Sequence, residues 1–144
     1  MNPGRGKSAI VGIGEVATGR FPDKDAIALA LESARAAIID SGLAKDEIDC
    51  VIPTGSLFSV QFSNELATAR LVEELGLTAV TSNCQVFSGG SSSTNALRIA
   101  CALIETGRAR NILFVHTDKL GTGVTAQGGI DLFSTAGISA EWEV

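Results

Sequence analysis

Short apolar runs alternating with longer amphipathic stretches predict an α/β fold with a mainly parallel sheet. Three observations carry this. Lys7–Gly14, Asp49–Pro53, Ala79–Asn83 and Asn111–His116 have the length and apolar content of strands; the segments between them place apolar residues at helical offsets; and Gly42, Gly76 and Gly107 follow those segments. The intervening segments are long enough to serve as crossovers.

Lys7–Gly14 is an apolar run closed by Gly12 and Gly14, which suits a buried strand better than a helix. From Asp25 the pattern changes. Ile27, Leu31, Ala34 and Ile38 form one stripe along a helix, which Gly42 stops in the usual position after a helix. Asp49–Pro53 follows as a strand, and Pro53, lacking an N–H, is expected to end its pairing. Thr54 to Phe62 reads as a loop. Ser63 is the expected N-cap of a second helix bearing Leu66, Ala69 and Val72 and ending at Gly76. After a third strand at Ala79–Asn83, Cys84–Asn95 reads as a loop feeding a buried helix over Ala96–Ile104, and Asn111–His116 as a further strand. Beyond Lys119 the chain is rich in Gly and Thr and weakly periodic. The whole reads as one domain, 1–144, expected to be incomplete.

Composition narrows the function classes. The chain has 144 residues, 45% of them apolar, and a mean hydropathy of +0.29, enough for one globular core. With 11 Lys and Arg against 16 Asp and Glu, the net charge of −5 lacks the basic footprint that nucleic acid or an anionic membrane requires. No apolar run approaches the roughly 18 residues of a membrane span, and the opening residues do not read as a signal peptide. Cys50, Cys84 and Cys101 are odd in number and lack CxxC spacing, and the single His116 cannot complete an ordinary zinc site, so no metal and a reducing cytoplasm are expected.

Two glycine clusters carry chemical signals. Gly12-Ile13-Gly14-Glu15-Val16-Ala17 matches the dinucleotide pattern GxGxxA, but the helical pattern starts only near Asp25 and the second strand lacks a convincing acidic residue at its end. The segment Ser88–Asn95 is stronger. A glycine-rich turn entering a helix directs amides and the positive end of the dipole at a developing anion, and no lysine completes a Walker pattern. Its alternative is an N-cap with close helix packing. Cys84, at a strand end, is a thiolate nucleophile if a base and a helix dipole activate it, and buried filler otherwise. Cys50 and Cys101 read as core. His116, at the end of an apolar strand, reads as a hydrogen-bonded structural residue before it reads as a base. Arg98, Arg108 and Arg110 suit an anionic ligand and a solvated surface equally well.

Four segments in order carry a resemblance: Ala9–Glu15 with Thr18–Pro22, Asp40–Leu43 with Ile48–Val51, Gly89–Leu97, and the strand ending His116-Thr117-Asp118-Lys119. Together they resemble the thiolase superfamily, and within it thiolase-like proteins of the sterol-carrier and lipid-transfer group. The resemblance implies a thiolase-like fold of which this chain is a partial N-terminal half, with a mainly parallel mixed sheet and flanking helices. Thiolases carry a Cys-x-Ser-Gly-x-x-Ala pattern; placing its alanine on Ala96 puts the nucleophile's position at Gly90, beside Ser91. Glycine forms no acyl-enzyme. Ping-pong thiolysis would then need Cys84 carried into the site, whereas lipid-transfer members with Gly-Gly here include aldolases acting on acyl-CoA adducts, often with a small OB-fold partner subunit.

The resemblance implies an acyl-CoA enzyme, an acyltransferase or C–C lyase, with a coenzyme A thioester as substrate and no tightly bound cofactor. It also implies a homo-oligomer with Ala79–Asn83 near the dimer axis, and places the family's His and second Cys in a second half. Glu141-Trp142-Glu143 resembles the entry to the next loop and helix. The alternative is a non-catalytic acyl-CoA or lipid-binding member, or a scaffold in a heteromeric complex. A dinucleotide-dependent oxidoreductase rests on the Gly12 motif alone.

Overall fold

A computed structural model describes residues 6–54, 64–119 and 127–128. In chain order the elements are α1 (Ala26–Ser41), β1 (Cys50–Thr54), α2 (Asn64–Leu75), β2 (Ser82–Asn83), α3 (Ser92–Glu105) and β3 (Ile112–His116), with single 3₁₀ turns at Lys45–Glu47 and Gly89–Ser91. The sheet order is β2-β1-β3 and both pairings are parallel. An antiparallel strand, expected of a mixed sheet, is not found among the described residues. β1 is central and buried along its whole length, so it reads as a continuous apolar run instead of an alternating one.

Local chemistry fixes the helix ends. The Asp25 carboxylate accepts the Ala28 amide at 2.7 Å and starts α1; Gly42, at φ +69°, sends its amide back to Ile39 and stops it. Ile27, Leu31, Ala34 and Ile38 are buried as the spacing predicts. In α2 the buried stripe is Ala67, Leu71 and Leu75, offsets of four; Ala69, expected on that stripe, is exposed. Ser63 lies outside the described residues, as do most of the Thr54–Phe62 loop and Glu141–Glu143.

Side chains alternate across β1 and β3 and build two cores. Val51, Leu113 and Val115 face α1 and α2, meeting Ile27, Leu31, Ile38, Leu71 and Leu75. Cys50 and Ile52, with Ile112 and Phe114, face α3 and meet Val86, Ala96 and Ala100. Asp49 ties the amino ends of the strands together. Its carboxylate accepts the amides of Arg110 and Asn111 at 2.9–3.1 Å, and its carbonyl accepts those of Thr81 and Ser82.

Four expectations are corrected. Lys7–Gly14 does not pair into the sheet: it forms no strand, with Ile10, Val11 and Ile13 exposed and the glycines turned toward α1. Pro53 does not end β1, because it sits in register with Val115 and the strand continues to Thr54, opposite His116. In a strand a residue's N and O point the same way, and the Pro53 carbonyl accepts the Val86 amide at 3.5 Å. Its missing N–H therefore faces the Val86 side and takes nothing from the β3 ladder. The third strand shrinks from Ala79–Asn83 to Ser82–Asn83, and α3 begins at Ser92, four residues before Ala96.

Candidate functional site

The GxGxxA glycines are explained by packing. A Cβ on Gly12 would lie 2.4 Å from the Ala37 carbonyl oxygen, and one on Gly14 would lie 2.1 Å from that of Ser33. Both glycines thus let this segment rest on the backbone of α1, well past the helix N-terminus, which Asp25 already caps. The Ile13 amide donates to Asp40 at 2.9 Å and fixes this approach. Nothing in this geometry presents a pyrophosphate seat to a dinucleotide.

The second glycine cluster lies at the carboxyl end of the sheet. Ser92, fully buried, accepts the Ser88 amide on its Oγ at 2.9 Å and donates to the Gly89 carbonyl at 2.7 Å, so one hydroxyl closes the turn. Ser91 donates its hydroxyl to the Ser88 carbonyl at 2.8 Å, and the Ser91 and Ser92 amides reach the carbonyls of Ser88 and Gly89. As the first residues of this helical run, Gly89 and Gly90 have amides without an intrahelical acceptor. The turn therefore offers two adjacent donors, backed by the α3 dipole.

Thr54 ends β1 and His116 ends β3, side by side in register, with Thr54 Oγ1 2.8 Å from His116 Nδ1. On its other side Thr54 bridges Val86, two residues before Ser88. Thr54 is buried and His116 exposed. Thr54 is thus a strand residue and not the first residue of the loop expected at Thr54 to Phe62, and His116 has the hydrogen-bonded partner expected of it. The period of two through Cys50, Ile52 and Thr54, and through Ile112, Phe114 and His116, was the signal that sets both on the α3 face.

No family model matches the chain. It is 32% identical over 104 residues to beta-ketoacyl-[acyl-carrier-protein] synthase III of Chlamydia caviae, a match covering 72% of this chain and 30% of that protein. Among solved structures it superposes on the acetyl-CoA acetyltransferase of Syntrophomonas wolfei with a TM-score of 0.57 and 28% identity, over 69% of this chain and 26% of that one. It superposes on the Ltp2-ChsH2(DUF35) aldolase with a TM-score of 0.69 and 22% identity, over 94% of this chain and 34% of that one. The fold is thiolase-like. The relatives place the chain in the thiolase-like superfamily, and it spans about a third of the length of those it matches.

Gly90, the position the resemblance points to, lies in the Gly89–Ser91 turn that leads into α3. Gly90 needs no glycine: its φ is not positive and a Cβ there meets nothing within 4 Å. Cys84 is partly buried against Cys50, Ile52 and Val86; desolvation, with Cys50 adding to it, pushes its thiol above the ordinary value, the opposite of an activated nucleophile. Cys50 is buried and Cys101 exposed, so only the first is core as expected. Arg98 joins Val86, Ser88, Asn95, Ile99 and Ala102 around an open groove of about 390 Å³ on α3. Arg110 contributes its amide to Asp49. Among the described residues no group of three or more His, Cys, Asp or Glu converges to hold a metal, and no helix is long and apolar enough to cross a membrane.

Proposed function

We propose that this chain is the N-terminal part of a thiolase-like enzyme acting on a coenzyme A thioester without a cysteine nucleophile. The observation that carries this is the pair of amides at Gly89 and Gly90 that have no intrahelical acceptor, in the turn leading into α3, with open space where a side chain would stand. A thioester carbonyl seated there gains most as its oxygen becomes negative, so the turn favours an enolate over the ground state. With no thiol at Gly90 and the Cys84 thiol pushed up, the chemistry is C–C cleavage or formation through an enolate, the mode of a lyase of the lipid-transfer group, in preference to ping-pong acyl transfer. Ser91 holds the turn in shape. The substrate is the acyl-CoA, and no tightly bound cofactor is needed.

The same reading makes the protein a homo-oligomer with the edge strand β2 and the preceding Ala79–Thr81 near the dimer axis, working in the cytoplasm beside an OB-fold partner subunit. The experiment is intact mass spectrometry of the protein incubated with an acyl-CoA, alongside thermal shift. Stabilisation by acyl-CoA without a covalent adduct is expected. An acyl adduct on Cys84 would restore thiolase chemistry and overturn the proposal, and no stabilisation would remove the acyl-CoA reading altogether.

A further inference from the structure

We infer that Thr54 and His116 form a proton-transfer pair serving the Gly89–Gly90 turn, with His116 as the base that enolises the thioester and Thr54 as its positioning residue. The inference rests on the thioester reading above and adds to it the group that moves the proton.

Three independent features bring the pair to the turn. First, parity sets Thr54 with Cys50 and Ile52, and His116 with Ile112 and Phe114, on the face of the sheet that α3 covers. Second, α3 is a crossover between parallel strands and so runs against them, which puts its first turn at their carboxyl ends, where Thr54 and His116 are the last strand residues. Third, the register runs His116, Thr54, Val86 across the sheet, so two strand spacings, about 10 Å, separate the His116 backbone from the segment that becomes the turn two residues later. A thioester whose oxygen meets the turn amides has its α-carbon in the space between.

The chemistry follows from the ring. A base needs a lone pair on Nε2, so Nδ1 carries the hydrogen and donates to Thr54 Oγ1, the 2.8 Å contact. Nε2 takes the α-proton; the C–H bonding pair becomes the C=C bond of the enolate; and the carbonyl π pair moves onto the oxygen held by the Gly89 and Gly90 amides. Returning the proton to the α-carbon reverses each change, and no other reactant is consumed. The imidazolium formed in between keeps its Nδ1–H on Thr54.

His116 is the one histidine of the chain, which makes its ring signals unambiguous. The test is imidazole ¹⁵N NMR of the chain titrated with a non-hydrolysable acyl-CoA thioether, together with deuterium uptake from D₂O at the α-carbon of an acyl-CoA. The Nδ1–H tautomer is expected in the free protein, a shift of Nε2 on binding, and a loss of deuterium uptake of about 100-fold or more in His116→Asn with the thioether still bound. Thr54→Val is expected to scramble the tautomer and slow uptake less. A fixed Nε2–H tautomer, or binding that moves the Gly89–Ser92 amides but leaves His116 and the uptake of His116→Asn unchanged, overturns the pair while sparing the thioester reading. If neither the ring nor those amides respond to the thioether, both fall together.

Discussion

The two faces of the sheet are built differently. Toward α1 and α2 the core is mostly branched aliphatics, Ile27, Leu31, Ile38, Val51, Leu71, Leu75, Leu113 and Val115, with Ala30 and Ala34 among them, and it is closed. Toward α3 the sheet still offers Ile52, Ile112 and Phe114 beside Cys50, but the helix meets them with small residues, Ala96 and Ala100, while Phe87, Leu97 and Ile99 remain exposed. Small side chains let α3 sit close to the sheet and bring its first turn to the strand ends, so this face contributes geometry where the other contributes stability. The difference separates a scaffold from a site.

If so, substitutions should divide by face. Leu75→Ala removes a side chain with no exposed surface from the aliphatic face and is expected to cost about 3 kcal/mol, read from the urea midpoint, whereas Leu97→Ala on the open side of α3 should change it by less than about 0.5 kcal/mol. Equal losses would remove the distinction. Gly14→Val comes next, at about 2 kcal/mol, because its Cβ would meet the α1 backbone, which has no flexible end to give way.

On the α3 face the buried Ser92 hydroxyl makes two of the turn's hydrogen bonds, beside the one from Ser91. Ser92→Ala leaves the Ser88 amide and the Gly89 carbonyl without that partner and is expected to cost about 1 kcal/mol, with faster hydrogen exchange concentrated at Ser88–Ser91. Exchange that rises evenly over the chain would show that Ser92 serves the core and not the turn.

Both partly or fully buried cysteines also belong to the α3 face, and burial raises each thiol above its ordinary value. Below about pH 8.5 the folded and unfolded chains both keep these protons, so stability is unaffected. Above it the unfolded chain releases them first, and stability falls as pH rises toward the folded values. Urea midpoints under reducing conditions between about pH 8 and pH 10 should therefore drift downward, and Cys84→Ala should flatten part of the drift. A drift that Cys84→Ala leaves unchanged would assign it elsewhere.

The closed face was the legible one. Helical offsets from Ile27 to Ile38, with Gly42 behind them, gave α1 its burial and its stop, because a stripe that faces one core repeats regularly. The site face was harder to read. Ser92–Asn95 looks like loop, since these residues compete for backbone hydrogen bonds, yet the Ser92 hydroxyl satisfies the turn and lets the helix begin there. Pro53 hid Thr54 from view, because its missing N–H matters only on the side where β1 has a full ladder. The Gly12 and Gly14 pattern is ambiguous in any sequence, as close approach to a phosphate and close approach to a helix ask for the same absent Cβ.

Gly14 and Gly90 sharpen the comparison to single atoms. A Cβ at Gly14 collides with backbone; one at Gly90 enters open space at an ordinary φ. Gly90→Cys is therefore expected to leave stability within about 0.5 kcal/mol of the parent, while placing a thiol at the start of α3, where the helix dipole favours the thiolate. Its alkylation by iodoacetamide at neutral pH should outpace that of Cys84, whose thiol burial holds back. With an acyl-CoA the variant should form a thioester adduct that the parent does not. A stable variant whose new thiol reacts no faster than Cys84 would mean that the first turn of α3 does not present its positive end to a bound group, and the electrostatic account of the site would have to move to another part of the strand ends.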